Sequence, residues 1–152
     1  MEKSIIYQIF PRYWGDRAGK QKKGGTLDEN GCGKFSNIDR ESLDYFKSLG
    51  VTHLWLTGII RHATGEDSGG CTASSPDWVK GRAGSPYAIT DYYDVNPYLA
   101  DKPERRMEEF TDLVKRVHEA GLKVIIDFVP NHVARDYAAF TASHPAPTGM
   151  PA

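Results

Sequence analysis

The feature that most constrains this chain is a joint that occurs twice. An amphipathic, helix-like stretch ends in a glycine, and an apolar, strand-like run begins at the next residue. The first joint is Leu49-Gly50-Val51 and the second is Ala120-Gly121-Leu122. Glycine tolerates the left-handed backbone that closes a helix, so each joint reads as a helix stop with no linker. A helix that connects two strands this tightly is a crossover, and crossovers lay successive strands parallel with the helices covering the sheet. The chain therefore reads as α/β.

The elements around the joints support that order. Residues 4–10 are rich in Ile and aromatic side chains and end at Pro11, which cannot donate to a sheet ladder, so they form the first strand. From the capping-type residue Asn37, the side chains of Ile38, Leu43, Phe46 and Leu49 share one side of a helix that stops at Gly50. Residues 51–56, with Val, Thr and Trp among them, make the second strand. The second helix opens with Asp101 near its N-cap, Pro103 in its first turn and Glu104 placed for a capping box. Met107, Phe110, Leu113, Val114 and Val117 recur along it at helical spacing. Residues 122–129 then make a third strand, ended by Pro130.

Two stretches, about 14–36 and 57–99, are dominated by Gly, Ser, Asp and other turn-forming residues and read as long surface loops. The Lys20-Gln21-Lys22-Lys23 cluster in the first is either an anion site or, as charge runs in loops usually are, a solvated face. Residues 141–152 hold three prolines and no strand pattern, which predicts an irregular tail. One domain accounts for residues 1–152, because a chain of this length buries roughly two thirds of its unfolded surface in one core.

Composition narrows the partners. The chain is 39% hydrophobic and 26% charged, as soluble globular proteins are. Nineteen basic against twenty acidic side chains leave a net charge of -1, so no summed field draws it to nucleic acid or an anionic bilayer. No stretch approaches the ~20 apolar residues that cross a membrane. The partner is expected to be uncharged, and no oligomeric state is assigned. The N-terminal run reaches Pro11 without the apolar core and cleavage site of a secretory signal, which predicts a cytoplasmic location. Cys32 and Cys71 lie in Gly-rich contexts and read as free thiols, with a single loop disulfide as the alternative. Neither has a second ligand at the short spacing of a zinc site.

Ligands of parallel α/β sheets gather beyond the carboxyl ends of the strands. Here the loops after the first and second strands are long and polar, whereas the helix-to-strand joints are minimal. The third strand ends in Asp127-Phe128-Val129-Pro130-Asn131-His132. Strand alternation puts Asp127 and Val129 on one face, and the proline turn brings Asn131 and His132 to the rim above it. A carboxylate closing an apolar strand needs a cation or several hydrogen-bond donors. The plainer alternative is that Asp127 caps a turn and His132 is a surface histidine.

The segment from Asp127 to His132 resembles the first signature region of glycoside hydrolase family 13, the α-amylase family. Ile6-Tyr7-Gln8-Ile9-Phe10-Pro11-Arg12 resembles that family's first strand, and Leu49-Gly50-Val51-Thr52-His53-Leu54-Trp55-Leu56 its second. Ser85-Pro86-Tyr87-Ala88-Ile89-Thr90-Asp91-Tyr92-Tyr93 resembles its loop in which Gly-Tyr precedes an Asp-Tyr pair. The four segments occur in family order. Two departures mark a divergent subgroup: Pro86 stands where members commonly carry Gly, and Thr57-Gly58-Ile59-Ile60 where many have Thr-Pro.

The resemblance implies an incomplete TIM barrel: the N-terminal portion of a (β/α)8 fold, with about three parallel strands and two to three helices. It implies a retaining glycosidase acting on α-glucans or maltooligosaccharides. It assigns Tyr87 to stacking on a sugar ring, His132 to bonding a sugar hydroxyl and Asp127 to holding the catalytic centre together. It implies Asn131 as a candidate ligand of a calcium ion, and no organic cofactor. The two carboxyl groups of such an enzyme lie about 5 Å apart and come, in this family, from the fourth and fifth strands, with a third acid from the seventh. Downstream of His132 the chain has only Asp136 among its acids, so no catalytic residue is expected here and the chain alone is expected to be inactive. The alternative is a non-catalytic relative that keeps the barrel for carbohydrate binding or assembly.

Overall fold

The computed structural model describes residues 3–16 and 22–137. The anticipated tail at 141–152, and Lys20 and Gln21 of the basic cluster, lie outside the described residues. The elements, in chain order, are β1 (Ile6–Ile9), α1 (Leu27–Asn30), α2 (Arg40–Ser48), β2 (His53–Leu56), β3 (Ile60–His62), β4 (Ile89–Val95), α3 (Arg106–Glu119) and β5 (Lys123–Ile126). Strands β1, β2 and β5 form one parallel sheet in that order, joined through α2 and α3. Ile6 is level with His53 and Lys123, and Ile9 with Leu56 and Ile126. These are three of the parallel strands that an eight-stranded barrel closes. Among the described residues no helix is long and apolar enough to cross a membrane.

Both glycine joints have the same construction. Gly50 and Gly121 adopt φ of 75° and 81°. The Gly50 amide donates to the Lys47 carbonyl and the Val51 amide to Phe46; Gly121 donates to His118 and Leu122 to Val117 in the same way. This paired closure satisfies the last helical carbonyls and turns the chain into the strand within two residues. The helix starts differ from the sequence expectation. Asp39, not Asn37, caps α2, its carboxylate accepting from the Ser42 amide at 2.9 Å. Asn37 ends a short 3-10 turn and accepts from the Lys34 amide. Helix α3 begins at Arg106 after a 3-10 turn over Pro103–Arg105, and Glu109 rather than Glu104 reaches back to the amides of Asp101 and Lys102.

The stretches read as loops carry structure of their own. Thr26 and Glu29 form a capping box that starts α1. Strands β3 and β4 pair antiparallel within residues 57–99, with Arg61 opposite Asp91 and His62 opposite Ile89. The seven residues of β4 include two buried aspartates, which is why the segment resembles a polar loop. Asp94 is held by a bidentate pair from Arg106, at 2.7 and 2.8 Å, with Arg61 at 3.5 Å. A buried carboxylate matched in this way by planar guanidinium donors is tolerated in a strand that an unpaired one would disrupt.

One face of the parallel sheet carries Ile9, Leu54 and Leu56 into a core shared with Phe35, Ile38, Leu43, Phe46, Leu113 and Val117. Phe46 sits at its centre, with ring centroids 4.9 Å from Tyr7 and 5.0 Å from Trp14. The opposite face, which closure of a barrel turns inward, carries Ile6 and Trp55, 54% and 37% exposed. Because Phe46 is fully buried and packs α2 against Tyr7 of β1 and against Trp14, Phe46→Ala should cost about 3–5 kcal/mol, the usual range for emptying a fully buried aromatic site. A urea titration that shifts by less than about 1 kcal/mol would show that α2 is not docked as described.

Candidate functional site

Asp127 is the first residue past β5, and its two carboxylate oxygens are held from the neighbouring strand. Oδ1 accepts from the Trp55 indole N–H, and Oδ2 from the Gly58 amide at 3.3 Å. Both donors belong to the carboxyl end of β2, so the donors demanded by an acid at a strand end are supplied across the sheet. Gly58 has φ of 71°, and a Cβ there would lie 2.7 Å from the Phe10 ring and 2.8 Å from Pro86. The ends of β1, β2 and β5 and the segment before Tyr87 thus converge on one glycine. The two departures from the family pattern, Gly58 and Pro86, accommodate each other.

The segment after Asp127 is tied to β4. The Tyr92 hydroxyl donates to the Val129 carbonyl, its ring lies 5.5 Å from that of Phe128, and the Ala134 amide donates to Ile89 at 2.8 Å. Tyr87 lies two residues before Ile89, is 45% exposed, and is turned by its own amide donating to Ser85 Oγ. His132 and Asn131 are exposed and adjacent, with Asn131 Nδ2 3.3 Å from His132 Nδ1. The four sequence-predicted residues therefore lie on segments gathered at one end of the sheet. Among the described residues no hydrogen bond joins Asp127 to Tyr87 or His132 directly. Among the described residues no group of three or more His, Cys, Asp or Glu is placed to hold a metal ion at Asn131.

A second network, which sequence reading missed, lies beneath the approach to Tyr87. His62 is buried in β3, its Nδ1 3.0 Å from the Ile60 carbonyl and its Nε2 2.9 Å from both Arg12 Nη2 and Asn96 Nδ2. This geometry fits one neutral tautomer, Nδ1–H donating and Nε2 accepting. Arg12 also donates to the Ala83 carbonyl at 2.8 Å and to Gly84 at 3.5 Å. Gly84 has φ of 61°, and any side chain there would collide with the Ala63 carbonyl. The turn leading to Tyr87 is thereby pinned on two sides. The sequence signal was faint: Ile60-Arg61-His62-Ala63 alternates like a strand, but the partners of His62 are distant in the chain. Cys32 and Cys71 are free thiols, and burial pushes both up from their ordinary value.

A parallel sheet of three strands with helical crossovers, its polar side chains collected at the strand carboxyl ends, is the arrangement of one portion of a TIM barrel. The family model described as "Alpha amylase, catalytic domain" matches residues 8–149, and the chain belongs to the α-amylase family, glycoside hydrolase family 13. It is 33% identical over 139 residues to the trehalose-6-phosphate hydrolase of Bacillus subtilis, covering 91% of this chain and 19% of that protein. It is 30% identical over 138 residues to an amino acid transporter heavy chain of Mus musculus, covering 91% of this chain and 15% of that one. The crystal structure of an alpha-amylase from Lactobacillus plantarum superimposes with a TM-score of 0.61 at 30% identity, covering 93% of this chain and 26% of that one. The chain thus spans about a fifth or less of these two curated relatives.

The buried imidazole makes stability depend on pH. Burial, joined by the Arg12 cation, pushes His62 down from 6.5 to about 4. The unfolded chain then takes up a proton near 6.5 while the folded chain resists until about 4, so stability is full above 6.5 and falls as pH drops through that window. The loss should total about 3 kcal/mol. Unfolding free energies measured from pH 7 to 4 should show this slope in the parent chain, and the parent-minus-variant difference for His62→Gln should carry it. An identical slope in the two proteins would mean that His62 is not held neutral.

Proposed function

We propose that this chain forms one wall of the sugar site of a retaining glycoside hydrolase acting on α-glucans. The observation that carries the reading is the anchoring of Asp127 between Trp55 and Gly58, where three strand ends and the Pro86-Tyr87 segment meet. A pyranose ring has an apolar C–H face and an edge of hydroxyls. The exposed Tyr87 ring suits the face, and the His132 imidazole, with two ring nitrogens for hydrogen bonding, suits the edge. Asp127 has one donor on each oxygen and keeps lone pairs for a sugar hydroxyl or for a neighbouring catalytic group.

The bond-breaking step belongs to a nucleophilic carboxylate and an acid/base carboxyl about 5 Å apart. In this reading they come from barrel strands beyond the three described, and the present residues orient the sugar. Calcium, if the complete protein uses it, would take the Asn131 side-chain oxygen as a hard ligand. No organic cofactor enters, and two free thiols fit a reducing compartment such as the cytoplasm. The mouse heavy-chain relative favours a second reading, a binding or assembly protein on the same barrel. Strand-end carboxylates in the protein that contains this segment support the hydrolase, and their replacement supports the second reading.

The pure chain should bind maltohexaose without releasing reducing ends. Tyr87→Ala and His132→Ala should each weaken that binding about tenfold, roughly 1.4 kcal/mol. Turnover by the pure chain would refute the assignment of the carboxylates to other strands, and unchanged binding in both variants would refute the sugar wall.

A further inference from the structure

Arg12 follows Pro11 in the 3-10 turn that leaves β1, and its half-buried side chain reaches a turn more than seventy residues further along the chain. Nη2 donates to the Ala83 carbonyl at 2.8 Å and stands 2.9 Å from His62 Nε2, and Nη1 donates to the Gly84 carbonyl at 3.5 Å. The same guanidinium lies over the Phe10 ring, 5.2 Å from its centroid. Among the described residues no carboxylate pairs with it, and burial pulls it below its ordinary value. A cation withdrawn from water without a counter-charge is a costly way to hold loops together, because a packed apolar contact would hold them as well or better. What distinguishes Arg12 is where its contacts lead. Only Ser85 and Pro86 separate Gly84 from Tyr87; the proline fixes its own φ, and Ser85 takes the Tyr87 amide on Oγ at 3.4 Å and the Ala88 amide on its carbonyl at 3.1 Å. On the other side, the Phe10 ring lies 2.7 Å from where a Cβ of Gly58 would stand, and the Gly58 amide donates to Asp127 Oδ2. We infer that Arg12 is a positioning residue that sets the Tyr87 ring against Asp127, and that it does so only while an uncharged acceptor stands at position 62; the inference rests on the reading of Tyr87 as a sugar platform.

The requirement at position 62 follows from the donors that meet there. Asn96 Oδ1 accepts from the Tyr98 amide at 3.1 Å, which turns Asn96 Nδ2 toward His62 Nε2 at 2.9 Å. His62 Nε2 therefore faces an amide donor and a guanidinium donor, neither of which can accept, and serves both only as a lone pair. A proton on that nitrogen would set two cations 2.9 Å apart and leave Arg12 without its third acceptor. Two carbonyls and one ring nitrogen then fix the plane of the guanidinium, and with it the height of the Ala83-Gly84 turn. A lysine carries a compact ammonium on a flexible stem and would not span the three acceptors in one plane.

A double-mutant cycle read by maltohexaose affinity, with ligand-observed NMR on the full chain, separates this role from general support of the fold. Arg12→Lys should weaken binding about tenfold in the parent and change it by less than about twofold in the Tyr87→Ala background, because the effect of Arg12 passes through that ring. His62→Leu should weaken binding about tenfold, whereas His62→Gln, whose amide oxygen can accept from Arg12, should stay within about threefold of the parent. Arg116→Lys, which loosens the ties of α3 to the Phe35 and Ile38 carbonyls, should leave maltohexaose affinity unchanged. Should Arg12→Lys fail to fold, the His62 pair carries the test. If Tyr87→Ala weakens binding while Arg12→Lys and His62→Leu match the parent, the positioning role is refuted and the rim stands. If Tyr87→Ala itself matches the parent, the rim reading fails and takes this role with it. An equal loss from Arg12→Lys with and without Tyr87, an equal loss in His62→Leu and His62→Gln, or a matching loss in Arg116→Lys would also overturn the assignment.

Discussion

A glycine that ends a helix and releases the chain straight into a strand leaves no freedom in where that strand begins. Gly50 and Gly121 impose this constraint twice, and in the same geometry. The two strands that follow therefore enter the sheet level with each other, His53 beside Lys123, and leave it level, Leu56 beside Ile126. With β1 in the same register, three carboxyl ends arrive together, and the longer connections all emerge on that side. Placement of a site at that end follows from the joints at the other, because short joints hold one end of the sheet closed while the chain between elements has room only at the opposite end.

The strand ends are then tied together by polar groups rather than by further apolar packing. Asp127 reaches across to β2, and Gln8 donates to Thr57 at 2.8 Å between β1 and the end of β2. Arg12 performs the same service for the turn before Tyr87, with His62 and Asn96 satisfying its surroundings. In a buried setting these hydrogen bonds contribute modestly to net stability, but leaving any partner unsatisfied is costly, so each network restricts the loops to one arrangement. In the proposed reading, a rim that orients a sugar depends on such restriction, because side chains displaced by about 1 Å lose much of their effect.

Much of this was legible in the sequence where the physics is local. Both helix stops, the three parallel strands and the strand-end carboxylate follow from residues next to one another: Gly50 before Val51, Gly121 before Leu122, Asp127 after Ile126. What escaped was set by partners far along the chain. The β4 strand looked like a loop because its buried Asp94 is matched by Arg106 from the following helix and by Arg61 from the strand before. Glu104 stood at capping-box spacing, yet Glu109 reaches the amides of Asp101 and Lys102, because the Pro103–Arg105 turn delays the helix. His62 looked like an ordinary strand residue, and its importance lies in contacts with Arg12 and Asn96. For the candidate site, Tyr87, Asp127, Asn131 and His132 could be named from their positions and their resemblance to the family, whereas Gly58, legible only as a departure from the family pattern, gave no sign of its close approach to Phe10 and Pro86.

The most direct test of the account is to map where a sugar touches the chain. Backbone amide shifts recorded during titration with maltohexaose should cluster at Gly58, Tyr87, Asp127 and His132, and the joints at Gly50 and Gly121 should stay still. Perturbations centred on the joints, with the strand ends silent, would contradict the claim that these converging strand ends form the sugar-facing side of the sheet.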